Sequence, residues 1–142
     1  IRRQRQMCIR DREWLMHMQV NLNSAWLLSA QALPMLRESG AGRLYFLLED
    51  LVKVEGAFWG AYGVGKHALR ALINQFAAEN RSAGVQVLGI NPGPVRSPLR
   101  SRAFHSENPE MQPDPGPVAR QIVELLSGHV MPDDIFIDLA GD

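Results

Sequence analysis

The sequence predicts an α/β domain built on a parallel sheet with helices on both faces. Two observations predict it. Segments with helical and strand-like character alternate in the order helix, strand, helix, strand, helix, strand. The strand-like segments, RLYFLL, VQVLGI and DIFIDL, are short and dominated by apolar residues, as strands of a covered parallel sheet are.

From Glu13 to Glu38 the residues Trp14, Leu15, Met18, Leu22, Trp26, Leu27, Leu33 and Leu36 recur at helical spacing. Ser39-Gly40-Ala41-Gly42 is a helix-ending sequence, and Pro34 predicts a kink before it. Arg43 to Leu48 reads as a strand buried on both faces. A polar loop over Glu49 to Gly56 leads to a second helix from about Phe58 to Asn80. Its apolar face comprises Ala61, Val64, Ala68, Leu69, Leu72, Ile73 and Phe76. Val85 to Ile90 is the next strand, closed by Asn91-Pro92-Gly93-Pro94. A long loop runs from Pro94 to Gln112, the kind that often serves as a lid or binding loop. A third helix spans about Pro115 to Ser127, and Asp134 to Leu139 makes a last strand. Parallel sheets of this type bind ligands beyond the carboxyl ends of their strands. Chemistry is therefore expected in the loops after Leu48 and Ile90.

Composition bounds the function classes. The 142 residues suit one domain, with 46% hydrophobic and 21% charged residues. Fifteen basic residues balance 15 acidic ones, so no net charge steers the chain toward nucleic acid or an anionic membrane. No apolar run approaches the roughly 18 residues of a membrane span, and no secretory signal is recognisable. The single cysteine, Cys8, gives neither a disulfide framework nor metal-type spacing. His17, His67, His105 and His129 show no convergent ligand spacing, so no metal site is expected. A cytoplasmic domain is the plain reading.

Residues 1–12, IRRQRQMCIRDR, carry five arginines and neither periodicity. They read as a basic arm, a frayed terminus or a non-native leader. Met7-Cys8-Ile9-Arg10-Asp11 is what ATG-TGT-ATA-AGA-GAC encodes, which resembles a transposon end used in library construction. A non-native or disordered leader over 1–12, with a partial domain over 13–142, is the expected organisation, the first half of the protein having been lost.

The stretch Tyr62-Gly63-Val64-Gly65-Lys66 is the most informative. Residues four apart share a helical face, so the lysine charge is expected beside the phenol. A neighbouring positive charge lowers a tyrosine pKa from about 10. Such a tyrosine can exchange a proton with an alcohol or carbonyl near neutral pH. Gly60, Gly63 and Gly65 mark either a loose helix start or a place where cofactor or substrate approaches the backbone. Trp14, Trp26 and Trp59 read as packing residues.

Together these features resemble the carboxyl-terminal half of a classical short-chain dehydrogenase/reductase. The resemblance rests on Trp59-Gly60-Ala61-Tyr62, Lys66 and Ala68-Leu69, on Asn91 to Ser97 after the strand at Val85 to Ile90, and on Val20-Asn21-Leu22. It covers about Glu13 to Asp142. It implies the carboxyl-terminal part of a Rossmann-like doubly wound sheet and hydride transfer between NAD or NADP and a small-molecule carbonyl or alcohol. By resemblance, Tyr62 is the general acid/base, Lys66 lowers its pKa and holds the nicotinamide ribose, and Asn21 anchors a water. Ser97 lies beside the nicotinamide carboxamide, and the backbone of Pro92, Gly93 and Val95 borders the ring. The loop Arg96 to Gln112 closes over substrate with Leu99, Phe104 and Met111 as lining. The resemblance also implies a homodimer or homotetramer paired through the first two helices.

Two departures stand out. The family places a serine about a dozen residues before the tyrosine, whereas Tyr45 to Tyr62 contains none, and Glu49 or Asp50 occupies the place. An ionised carboxylate cannot donate a hydrogen bond, and beside Tyr62 it opposes tyrosinate and repels an oxyanion. Only a protonated carboxyl, with a strongly raised pKa, could substitute for the serine. Nor does a glycine-rich turn follow a strand near the amino terminus to receive a pyrophosphate. The chain alone is therefore expected to be inactive, marginally stable or aggregating, with an exposed sheet edge. The competing reading is a degenerate relative serving as a binding or assembly module. A nucleic-acid binder rests only on residues 1–12.

Overall fold

The computed structural model describes residues 11–104, 106–128, 130 and 132–139. Of the segment 1–12, only residues 11 and 12 are described, and they form the first residues of a long helix. Cys8, His105 and His129 lie outside the described residues.

That helix, α1, runs over 11–38, as the apolar spacing predicts. Its regular hydrogen bonding is interrupted by a π-helical turn at Gln19–Asn23, after which α-helix resumes at Ser24–Glu38 and continues past Pro34. Polar side chains support the wider turn. Asn21 donates to the His17 carbonyl at 3.1 Å, Asn23 to Gln19 Oε1 at 3.1 Å, and Ser24 to the Val20 carbonyl at 2.6 Å.

Strands β1 (Arg43–Leu47), β2 (Gln86–Asn91) and β3 (Phe136–Asp138) form one parallel sheet in the order β1-β2-β3. Leu44 lies opposite Val87, Phe46 opposite Gly89, and Gly89 opposite Phe136. Helix α2 (Leu51–Val54) and the long helix α3 (Gly60–Asn80) connect β1 to β2. Helix α4 (Pro98–Ala103), a 3-10 turn at Pro109–Met111 and helix α5 (Pro115–Ser127) connect β2 to β3. The alternating architecture is thus the predicted one.

The main core lies between the sheet and α1 and α3. It joins Leu33, Phe46, Leu48, Leu69, Ile73, Phe76 and Val87, with the Phe46 and Phe76 rings stacked at 6.3 Å. Fully buried Asn80 is satisfied, donating to the Phe76 carbonyl at 2.8 Å and accepting from Arg37 Nε at 2.7 Å. That pair ties α1 to the end of α3. On the opposite face the Tyr45 hydroxyl lies 3.1 Å from the Leu125 carbonyl of α5, so helices cover both faces.

Several local expectations are corrected. β1 is not buried on both faces: Leu47 is 55% exposed, because it sits at the sheet's edge and walls a cavity. The loop after β1 is not wholly polar connection. Asp50 caps α2 by accepting from the Val52 and Lys53 amides at 3.1 and 3.4 Å, and Val54 is buried. Helix α3 starts two residues later than predicted, since Phe58 and Gly60 have φ of 76° and 49°. Its buried face is Ala61, Gly65, Leu69, Ile73, Phe76 and Ala77, leaving Val64 48% exposed. The long loop carries α4, which Ser97 caps by accepting from the Arg100 amide at 3.1 Å. Among the described residues, no helix is long and apolar enough to cross a membrane.

Candidate active site

The sheet's geometry concentrates polar groups where β1 and β2 end. After Asn91 the chain turns at Pro92-Gly93-Pro94, with the Gly93 amide donating to Asn91 Oδ1 at 3.1 Å and Asn91 Nδ2 donating to Asp138 Oδ1 at 3.1 Å. That pair pins the turn to the end of β3. After Leu47 the chain passes through Leu48 and Glu49 into α2. The first turns of α3 rise between these two exits. A cavity of about 570 Å³ results, walled by Glu49, Tyr62, Lys66, Pro92 to Val95 and Ser97. Trp59, Leu99, Arg100, Arg102 and Phe104 complete its aromatic and basic side, with His17 of α1 at its margin.

Glu49 rather than Asp50 faces the phenol. The Tyr62 hydroxyl donates to Glu49 Oε2 at 3.3 Å, and Glu49 Oε1 accepts from the Asp50 amide at 3.2 Å. The Asp50 carboxylate is taken up with capping α2 and with Lys53 at 3.4 Å. The Lys66 amine lies 5.7 Å from the Tyr62 ring centre and donates to the Leu47 carbonyl at 3.1 Å.

These contacts correct the expectation for the phenol. Its pKa is not lowered but pushed up to about 12, by burial first, then by the charge of Glu49 and the hydrogen bond to it. Lys66 stands four residues away as predicted, yet its amine is turned to a main-chain carbonyl. Burial pushes the Lys66 pKa down, against an opposing pull from Glu49.

The structure brings Tyr62, Lys66, Glu49, Pro92, Gly93, Val95 and Ser97 to one cavity. Asn21 is not among its walls; it sits in the π-helical turn of α1, bonded to the His17 carbonyl. Leu99 and Phe104 line the cavity as predicted, whereas Met111 is 79% exposed and not among its walls. Gly63 does not admit a ligand: a Cβ there would lie 2.0 Å from the Val54 carbonyl, so the glycine lets α2 pack on α3.

Other residues line the cavity beyond those predicted. His17 meets Tyr62 edge-on with ring centres 6.1 Å apart. Trp59 lies 5.8 Å from Tyr62 and 5.4 Å from Phe104, so it is both packing residue and cavity wall. Arg100 stacks on Phe104 at 3.6 Å and holds Glu107 through contacts of 2.8 and 2.6 Å. The signal for Trp59 was present, since a residue three before Tyr62 shares its helical side. Nothing in the sequence marked Arg100 or His17. Among the described residues, no group of three or more His, Cys, Asp or Glu could hold a metal ion.

Comparison with known proteins points to one family. Residues 2–108 match the family model described as short chain dehydrogenase. The oxidoreductase YciK of Escherichia coli is 34% identical over 105 residues, 74% of this chain and 41% of its own length. The crystal structure of a short-chain dehydrogenase from Salmonella enterica serovar Typhi superposes with a TM-score of 0.82 at 29% identity, over 90% of this chain and 53% of that one. A short-chain dehydrogenase from Escherichia coli complexed with NADPH gives 0.79 at 30% identity, over 90% and 53%. The chain thus spans about half the length of the relatives it matches.

Proposed function

The chain belongs to the short-chain dehydrogenase family, and on that premise we propose that it forms the nicotinamide-side part of an NAD(P)-dependent oxidoreductase. The reaction is hydride transfer between the cofactor and a small-molecule carbonyl or alcohol. One observation carries the reading: Tyr62 and Lys66 share a cavity with the Pro92 to Val95 turn at the carboxyl ends of β1 and β2.

The residues present fit the nicotinamide and ribose end of the cofactor. A cavity with aromatic walls, a partly desolvated amine and a turn exposing backbone groups suits a flat ring and its ribose hydroxyls. When bound, the nicotinamide supplies or accepts the hydride, and the protein supplies orientation and the proton. In this reading Tyr62 is the proton donor and acceptor, and Lys66 bonds the ribose. Ser97 lies beside the carboxamide, Pro92, Gly93 and Val95 border the ring, and Asn21 holds a water behind Tyr62. NADPH in the Escherichia coli relative supports a dinucleotide at this place, with the choice between NAD and NADP open. Exposed Leu15, Val20, Trp26 and Leu28 on α1 support pairing into a homodimer or homotetramer.

The Glu49–Tyr62 contact favours a second reading, a binding or assembly module without turnover, because it keeps the phenol protonated. The full-length protein, assayed with NADH or NADPH and a panel of aldehydes and ketones, separates the two. Turnover abolished by Tyr62→Phe supports the enzyme. Cofactor binding without turnover supports the module.

A further inference from the structure

We propose that Glu49 sets the substrate class of this site, favouring a protonated imine, C=N–H⁺, over a carbonyl. The proposal rests on the oxidoreductase reading above and names the electrophile that the reading leaves open.

The carboxylate is fixed on the cavity wall by two bonds, one from the Asp50 amide at 3.2 Å and one from the Tyr62 hydroxyl at 3.3 Å. A carboxylate there only accepts hydrogen bonds. Reduction of a carbonyl builds negative charge on oxygen, which this group repels. The only hydrogen on the Tyr62 oxygen is engaged by Glu49, and Lys66 donates to Leu47. The phenol hydrogen is thus committed elsewhere, as is one of the Lys66 hydrogens. A protonated imine reverses each conflict. Its N–H⁺ donates to Glu49, and its charge lies among the Tyr62, Trp59 and Phe104 rings, which attract cations. Of the remaining cations of the site, Arg100 is paired with Glu107, Lys66 is turned to the Leu47 carbonyl, and Arg102, exposed to solvent, is the wall cation that opposes the charge of the substrate. His17 is the other titratable wall residue.

The step balances without a further reactant. The imine nitrogen takes its proton from solvent before transfer and keeps it in the product. The iminium carbon accepts hydride with its electron pair from the reduced nicotinamide. The C=N π pair becomes the nitrogen lone pair, giving a neutral amine. The imine is reduced by two electrons and the dinucleotide oxidised by two.

The test compares matched bicyclic ligands on the full-length protein. Binding is read first, by quenching of tryptophan fluorescence with the tetrahydroisoquinolinium cation and with neutral tetralol. Wild type is expected to bind the cation at least about ten-fold tighter than the alcohol, a preference that Glu49→Gln removes. Equal binding of the two by wild type overturns the proposal, whatever any carbonyl assay gives. Turnover is read second. Dihydroisoquinoline reduced faster than tetralone supports it, and Glu49→Ser should shift the preference toward tetralone. Tetralone reduced faster by wild type overturns this proposal and leaves the oxidoreductase reading standing. Reduction of neither overturns both.

Discussion

The Tyr62 hydroxyl donates to Glu49 Oε2 at 3.3 Å, across the gap between the exit of β1 and the start of α3. The contact places a fixed negative charge where tyrosinate would form, while the nearest ammonium, Lys66, bonds the Leu47 carbonyl. This pairing sets the electrostatics of the cavity.

One consequence is expected in alkali. The Tyr62 pKa rises from about 10 to about 12 on folding, so folding is favoured by the protonated phenol. That contribution is intact below about pH 10 and is lost as pH rises toward 12, because only the unfolded chain ionises in between. Ultraviolet titration of tyrosinate should show a late step that Tyr62→Phe removes, beside that of Tyr45, which burial also pushes up. Glu49→Gln should lower the Tyr62 step part of the way, since burial, the larger cause, remains. A Tyr62 titration unmoved by Glu49→Gln would contradict the share assigned to Glu49.

Two glycines in α3 should answer differently to the same change. A Cβ at Gly63 would meet the Val54 carbonyl at 2.0 Å, whereas at Gly65 it would meet Asn21 Cβ at an ordinary 3.5 Å. Gly63→Ala should destabilise by about 1–3 kcal/mol by forcing α2 off α3. Gly65→Ala should be neutral or stabilising by up to about 1 kcal/mol through helix propensity. Urea melts of the full-length variants check both.

Asn80 is the buried polar link between α1 and α3. Asn80→Ala should cost about 1–3 kcal/mol, since it leaves the Arg37 guanidinium without its 2.7 Å partner. Ile73→Ala, at a fully buried core position, should cost about 2–5 kcal/mol. Both changes should lower the denaturation midpoint.

Ser97 joins local structure to the site. Its side chain caps α4, so Ser97→Ala should cost about 1 kcal/mol and loosen the wall formed by Leu99 and Phe104. Ser97→Asp keeps a capping oxygen and should restore stability but add a repelling charge in the cavity. Proteolysis within 98–112 checks the wall, and binding of the cofactor checks the charge.

What the sequence disclosed divides along physical lines. Helices α1 and α5 and the three strands were legible because periodicity and apolar runs report burial directly. The Tyr62–Lys66 spacing and the turn at Pro92 were legible because local geometry determines where they project. The short helices α2 and α4 escaped, since a single turn held by an Asp50 or Ser97 cap leaves little periodic signal. So did the direction of the Tyr62 shift. It depends first on how deeply the phenol is buried and then on the Glu49 carboxylate, which the turn from β1 into α2 brings to the hydroxyl. His17 and Arg100 reach the cavity only through the packing of α1 and α4, over long sequence separations.

The oxidoreductase reading requires that the cavity beside Tyr62 and Lys66 receive the nicotinamide ring for hydride transfer. Isotope transfer tests this with the full-length protein and a reduced dinucleotide carrying deuterium at the transferable position of the ring, offered the imine and ketone of the matched pair. Deuterium is expected on the former C=N or C=O carbon of the product, with no labelled alcohol formed from the ketone by Tyr62→Phe. Deuterium transfer to the ketone undiminished in that variant, or bound dinucleotide that never passes its label to either substrate, would contradict it.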